Sequence, residues 1–205
     1  MADKEISEKC LKDLGFCFLF AQKYHTAMRF VGGPRKEIKI PTVFNILGPL
    51  ANPANANLQL LGVYDESLLK PLAKVLSNLG VKRGMVVRGD DGLDEITATT
   101  TTSVCEFENG EYKTYKLNPA DYGLALCDES ELKGGTPEEN AQIARDLLSG
   151  KIKDGKRTAV ILNAGAALHI TNKISLEEGM KLATEILDSG AAYKTLEDFI
   201  AATNA

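Results

Sequence analysis

The sequence predicts an α/β fold, and three observations carry that expectation. An apolar run of strand length, "LQLLGVY" at 58–64, precedes a helical stripe over 65–79 and a second apolar run, "GMVVRG" at 84–89. A β-rich stretch then surrounds Asn109-Gly110, the dipeptide favoured at a tight hairpin turn. Amphipathic helical patterns open and close the chain.

Taken in order, residues 4–14 place Ile6, Cys10, Leu11 and Leu14 at helical spacing, with Gly15 as the stop. "FCFLFAQKYHTAMRFV" is apolar at first and then amphipathic, and "GGP" at 32–34 favours an irregular loop. "TVFNILGPLANPANAN" at 42–57 reads as a helix or bend interrupted by Gly48, Pro49 and Pro53. Leu68, Leu69, Leu72, Val75, Leu76 and Leu79 form one helical stripe, closed by Gly80. Strands flank Asn109, and "AQIARDLLSG" returns to helix. "RTAVILNAGAALHI" is expected to change from a buried strand to a small-residue helix near Asn163. "SLEEGMKLATEILDSG" reads as a helix whose Ser175 and Glu178 form a capping box.

The 205 residues, 44% of them hydrophobic, suffice for a sizeable core, and residues 1–205 are expected to form one α/β domain. A formal charge of −4, from 24 basic and 28 acidic side chains, gives no electrostatic basis for a nucleic-acid or anionic-membrane surface. Cys10, Cys17, Cys105 and Cys127 are widely spaced with no CxxC pair, so buried thiols in a reducing compartment are expected. No apolar stretch approaches the roughly 18 residues of a membrane span, and no basic-plus-apolar leader opens the sequence. These features together predict a cytoplasmic location.

Chemistry concentrates in four stretches. "GDDGLDE" sets Asp90, Asp91, Asp94 and Glu95 around two glycines at a strand end, where α/β proteins present ligand groups. Adjacent Asp94 and Glu95 could hold Mg²⁺ through hard oxygen ligands, and the plain alternative is a solvated acidic turn. "YHTAMRFVGGPRKE" supplies His25, Arg29, Arg35 and Lys36, and a guanidinium can grip a carboxylate through paired hydrogen bonds. His25 could equally be structural. "NILGPLANPAN" is either a rigid pocket wall or a helix ended by proline. "GGTPEENA" lacks the glycine and lysine spacing of a phosphate loop, and Thr136-Pro137-Glu138 fits a helix start.

In order, "GFCFLFAQKYHTAMRFV", "PRKE", "TVFNILGPLANPANA", "GDDGLDEIT", "GGTPEENA", "LNAGAAL" and "LDSGAA" resemble the anthranilate phosphoribosyltransferase family over nearly the whole chain. The resemblance implies helices layered on a mixed sheet, of the nucleoside phosphorylase and phosphoribosyltransferase type, incomplete at its N-terminus. It implies transfer of a phosphoribosyl group from phosphoribosyl pyrophosphate to anthranilate in tryptophan biosynthesis, with Mg²⁺ assisting pyrophosphate departure. Asp94 and Glu95 would hold the metal. Arg35 would bind the anthranilate carboxylate, Tyr24, His25, Met28 and Pro49 would line that substrate's region, and no covalent nucleophile is expected. The family's N-terminal helical dimerisation domain, its "KHGN" loop and its "GTGGD" pyrophosphate loop are not among these residues. The chain alone is therefore expected to be inactive, with self-association or a complementing N-terminal segment as its partners. A nucleoside phosphorylase of related fold and a noncatalytic binding fragment or subunit are the competing readings.

Overall fold

The computed structural model describes residues 3–25, 30, 33, 37, 42 and 44–204. These fall into two compact units: residues 1–54 with 192–205, and residues 55–191.

In the first unit, α1 (Lys4–Leu14) begins at Asp3, whose side chain accepts a hydrogen bond from the Ile6 N–H, and ends at Gly15 as expected. A four-residue helix, α2 (Ala21–Tyr24), closes at His25. A seven-residue helix, α3 (Phe44–Leu50), carries Pro49 in its last turn. The Thr42 N–H donates to the Asn45 side-chain oxygen at 3.0 Å, fixing the start of α3. Phe16 meets Phe199 edge to face, with ring centroids 4.9 Å apart. Phe199 belongs to the C-terminal helix α9 (Ala191–Thr203), which sequence periodicity did not single out.

The second unit is built on a four-stranded mixed sheet in the order β1 (Leu58–Gly62), β2 (Arg83–Gly89), β3 (Thr102–Glu108), β4 (Glu111–Leu117). β1 and β2 are parallel, with Leu60 opposite Met85, and are joined through α4 (Leu69–Asn78). β3 runs antiparallel to β2, and β4 to β3. The β3–β4 turn is Asn109-Gly110, with φ of 49° and 87°, the left-handed pair that a two-residue hairpin requires. The stripe expected over 65–79 is only partly buried. Leu69, Leu72 and Leu76 enter the core, whereas Val75 and Leu79 are 37% and 60% exposed.

β2 is buried along almost its whole length, and its alternating side chains meet helices on both faces. On one face lies α4, and Ser103 of β3 reaches Glu66 in the 3₁₀ turn preceding that helix. The other face is covered by α7 (Gly155–Asn172), which meets Arg83 and Glu106 through His169 and Ile170. Between β4 and α7 lie α5 (Glu129–Leu132) and α6 (Pro137–Leu148). Thr136 and Glu139 form a capping box with Pro137 at the first helical position of α6, so "GGTPEENA" is a helix start.

α7 corrects one expectation: residues 157–162 are helix, not strand. Val160, Ile161 and Leu162 are a short apolar run, and such a run carries no periodicity that separates a buried strand from a buried helix. Here the helix lies between the sheet and α8 (Leu176–Asp188), so it is apolar over much of its circumference. The contact with α8 is close because both helices present glycine. A Cβ on Gly179 would sit 2.3 Å from the Gly165 carbonyl oxygen.

A polar cluster ties the sheet to the C-terminal end of α7. Glu106 accepts a hydrogen bond from the Tyr115 hydroxyl at 3.0 Å, lies 2.9 Å from His169 Nε2 and pairs with Arg83 at 3.4 Å. His169 Nδ1–H donates to the Ile174 carbonyl at 2.5 Å. Arg83, 7% exposed, also donates to the Ile170 carbonyl at 3.4 Å. His169 is the main cause that holds the Glu106 carboxyl down at about 2, against burial, which alone would raise it. Burial, and then the facing Glu106 carboxylate, push the Tyr115 phenol up.

Two outcomes follow from this packing. Gly179→Ala should lower unfolding stability by about 1–3 kcal/mol in urea titration, the usual cost of overpacking; an unchanged midpoint would refute the close contact. Glu106 titrates lower in the folded chain than its ordinary 4.5. Its stabilisation is thus complete above pH 4.5 and lost as pH falls towards about 2. Glu106→Gln should flatten the acid limb of the stability curve in that window, and an acid limb identical to the parent's would contradict this assignment.

Candidate functional site

Two parallel strands, β1 and β2, end side by side at Gly62 and Gly89, and the chain leaves β2 into the acidic loop. The carboxyl ends of adjacent parallel strands are where α/β sheets leave room for a ligand. What happens to the four carboxylates there divides them into two pairs.

Asp91 is turned into the loop. One of its oxygens accepts from the Leu93 N–H at 3.1 Å, and the other accepts from the Thr97 and Thr99 hydroxyls, each at 2.5 Å. Partial desolvation pushes its carboxyl up, but these hydrogen bonds outweigh that and leave it below the ordinary range. Asp90 turns towards β3 and β4. It accepts from the Thr101 hydroxyl at 2.5 Å and pairs with Lys116 at 2.7 Å, while Ser103 links it onward to Glu66. For Asp90 too, desolvation raises the carboxyl, and Lys116 and Thr101 bring it net below its ordinary value.

Asp94 and Glu95 behave differently. Both are exposed, and neither side chain has a hydrogen bond or ion pair with another described residue. Yet the backbone that carries them is anchored, since the next three residues, Ile96, Thr97 and Ala98, are 1%, 1% and 0% exposed. The Asp94 carbonyl also lies directly over Gly62, where a Cβ would come within 1.6 Å of its oxygen. The result is two adjacent free carboxylates on a fixed backbone. Among the described residues no three His, Cys, Asp or Glu side chains cluster as a complete metal site. A two-carboxylate donor set fits Mg²⁺, which keeps several waters and takes its remaining ligands from phosphate oxygens.

The residues expected to meet anthranilate lie in the first unit. Tyr24 and His25 are neighbours at the end of α2, and the His25 N–H donates to the Ala21 carbonyl at 2.8 Å. The buried Tyr24 hydroxyl has no hydrogen-bond partner among the described residues. Pro49 is exposed in the last turn of α3. Arg35 and Met28 lie outside the described residues.

Sequence reasoning passes over Asn163, Lys116 and the threonines as parts of this loop. Local pattern marks Asn163 only as a helix start, and nothing in its spacing joins residue 163 to residue 96. The run "TATTTT" is legible as β-branched residues, but its use as a hydroxyl clamp on Asp91 requires the fold.

The family model for the glycosyl transferase family, α/β domain, matches residues 1–193. The chain belongs to that family. It is 55% identical over 203 residues to the anthranilate phosphoribosyltransferase of Methanobrevibacter smithii, covering 98% of this chain and 60% of the relative. The same enzyme from Lachnoclostridium phytofermentans is 53% identical over 199 residues, covering 97% of this chain and 59% of the relative. The family member thus spans about three fifths of the length of the curated relatives it matches. Among solved structures, anthranilate phosphoribosyltransferase from Thermus thermophilus superposes with a TM-score of 0.91 at 44% identity, over 98% of this chain and 59% of that one. The Saccharomyces cerevisiae enzyme in complex with PRPP and Mg gives 0.92 at 31% identity, over 99% of this chain and 58% of that one. The mixed sheet with layered helices is therefore the fold of these transferases.

The division of the acidic loop predicts unequal stability effects. Asp91→Ala removes the acceptor shared by the Thr97 and Thr99 hydroxyls and the Leu93 N–H and should cost about 1–2 kcal/mol. Asp94→Ala, exposed and unpaired, should change stability by less than about 0.5 kcal/mol. Denaturant titration of both variants decides the matter, and equal losses would refute the assignment of Asp91 as a structural carboxylate.

Proposed function

We propose that this chain forms the α/β part of an anthranilate phosphoribosyltransferase, acting with the remaining two fifths of the family's length. The observation that carries the reading is the Asp94–Glu95 pair, unpaired and exposed on an anchored loop, in a chain 55% identical to such an enzyme. The carboxylates of Asp94 and Glu95 would hold Mg²⁺. When bound, the metal neutralises negative charge growing on the departing pyrophosphate.

The substrate side follows from carboxylate and ring chemistry. Arg35 would grip the anthranilate carboxylate through paired hydrogen bonds, and Tyr24, His25, Met28 and Pro49 would line the region around its ring. With the carboxylate held, the amino nitrogen is presented to the anomeric carbon of the phosphoribosyl group. The nitrogen–carbon bond forms as the carbon–oxygen bond to pyrophosphate breaks with its electron pair leaving on the pyrophosphate oxygen, and the nitrogen then loses a proton to solvent. Asp90 and Asp91 keep the loop's shape and take no part in this exchange. The grip on pyrophosphate beyond Asp94 and Glu95 is assigned to the part of the family's length outside this chain, through its glycine loop or a complementing segment. The same reading makes the protein cytoplasmic. Its four free cysteines support this, and among the described residues no helix is long and apolar enough to cross a membrane.

The test is fluorescence of anthranilate, followed in the presence of phosphoribosyl pyrophosphate and Mg²⁺. The chain is assayed alone and after joining to the part of the Methanobrevibacter smithii relative that lies outside the match. The joined protein should consume anthranilate, and the chain alone should not. In the joined protein, Asp94→Asn and Glu95→Gln should each lower turnover by about 100-fold or more, the scale of losing an electrostatic contact to the leaving group. Asp90→Asn should cost far less. Equal and small effects at all three positions would return the loop to a solvated turn.

A further inference from the structure

We infer that Asn163 is the positioning residue of the Asp94–Glu95 pair, acting from α7 on the backbone immediately after Glu95; this rests on the proposed metal-binding role of the pair. The Asn163 side chain makes both hydrogen bonds that a peptide unit would make. Its oxygen accepts from the Ile96 N–H at 3.1 Å and its amide donates to the Ile96 carbonyl at 2.8 Å. The same amide nitrogen donates to the Ala159 carbonyl one helical turn back, at 3.0 Å. The side chain is therefore held in one orientation by its own helix while it grips the loop.

The grip falls between two other sets of backbone anchors. Upstream, the backbone is pinned by Asp91, by the Gly89 N–H donating to the Leu93 carbonyl at 2.8 Å, and by the Asp94 carbonyl resting on Gly62. Downstream, Thr97 is held by Asp91 and by the Thr102 hydroxyl, which accepts from the Thr97 N–H at 3.1 Å. Between these anchors stand Glu95 and Ile96, and the backbone hydrogen bonds of Ile96 go to Asn163. Substituting Asn163 should leave the two carboxylates chemically intact on a backbone that has lost its hydrogen-bonded restraint at Ile96 and holds them less firmly towards a shared ligand. Groups that orient metal ligands in this indirect way typically account for 10–100-fold in metal affinity.

A control is the loss of an equivalent asparagine elsewhere in the same unit. Asn140 provides it, because its side chain bridges the Gly135 N–H at 2.8 Å and the Gly135 carbonyl at 3.0 Å in the loop before α6. Asn140→Ala therefore removes similar chemistry at a distance in sequence from the acidic loop.

The experiment uses the 205-residue chain itself. Mn²⁺, alone and with inorganic pyrophosphate, is titrated while the backbone amide resonances of Asp94, Glu95 and Ile96 are followed for paramagnetic broadening. Amide hydrogen exchange of Ile96 is measured in parallel, without metal. Asn163→Leu should speed Ile96 exchange by about tenfold, the worth of one hydrogen bond. It should also raise the broadening midpoint by about 10- to 100-fold. Asn163→Asp keeps an acceptor for the Ile96 N–H and should retain part of the exchange protection, which also covers the case in which the leucine variant does not fold. Asn140→Ala should change neither readout. If Asp94→Asn shifts the midpoint and Asn163→Leu does not, or if Ile96 exchange is the same in all variants, the positioning role is refuted while the metal reading stands. If the parent chain shows no broadening centred on Asp94 and Glu95, the metal reading fails, and the role of Asn163 fails with it.

Discussion

The burial of β2 on both faces is the constraint on which the second unit depends. A strand with no wet face needs neighbours for its backbone on each side and apolar cover above and below. β1 and β3 supply the first, and α4 and α7 supply the second. Its first residue, Arg83, then brings a charge into that interior, and Glu106 together with the carbonyl of Ile170 answers it. The cover helix α7 is thereby fixed to the sheet at its C-terminal end by polar contacts, and along its length by apolar ones. Its own outer side meets α8 through glycine, which brings the two helix backbones close together.

That arrangement has a consequence at the other end of β2. Because α7 is fixed in place, a side chain in its middle can act as a rigid fixture for a loop. Asn163 does so, and the loop emerging from β2 is held from the helix as well as from the strands. Four carboxylates within a few residues would ordinarily repel one another and spread into solvent. Here two are satisfied locally, Asp90 by the Lys116 ion pair and Asp91 by hydroxyl and amide hydrogen bonds that stabilise its charge, and this leaves Asp94 and Glu95 as the carboxylates without a protein partner among the described residues. The loop stores no unpaired carboxylate where it is buried, and presents two where it is exposed.

Much of this is legible in the sequence, for identifiable reasons. The hairpin at Asn109-Gly110, the helix start at Thr136-Pro137 and the capping box at Ser175 depend on contacts between residues at most three positions apart, so local chemistry suffices to read them. The parallel β1–α4–β2 unit is visible because the strands are apolar and the intervening helix carries a stripe. The stretch 157–162 misleads because a helix covered on two sides loses the alternation of wet and dry positions that identifies it. Val75 and Leu79 mislead in the opposite sense, being apolar residues on a helical stripe wider than the surface it covers.

The sequence by itself determined the α/β class, the family, and the motif that carries Asp94 and Glu95, since each is written in residue types at short or ordered spacing. Only the tertiary structure showed which partners hold Asp90 and Asp91 to the loop while Asp94 and Glu95 stay free. Asp90 and Lys116 are 26 residues apart, and Ile96 and Asn163 are 67 apart. A charge's availability depends on what folds next to it, and at such separations that neighbour is chosen by the packing of strands and helices. No local pattern records it.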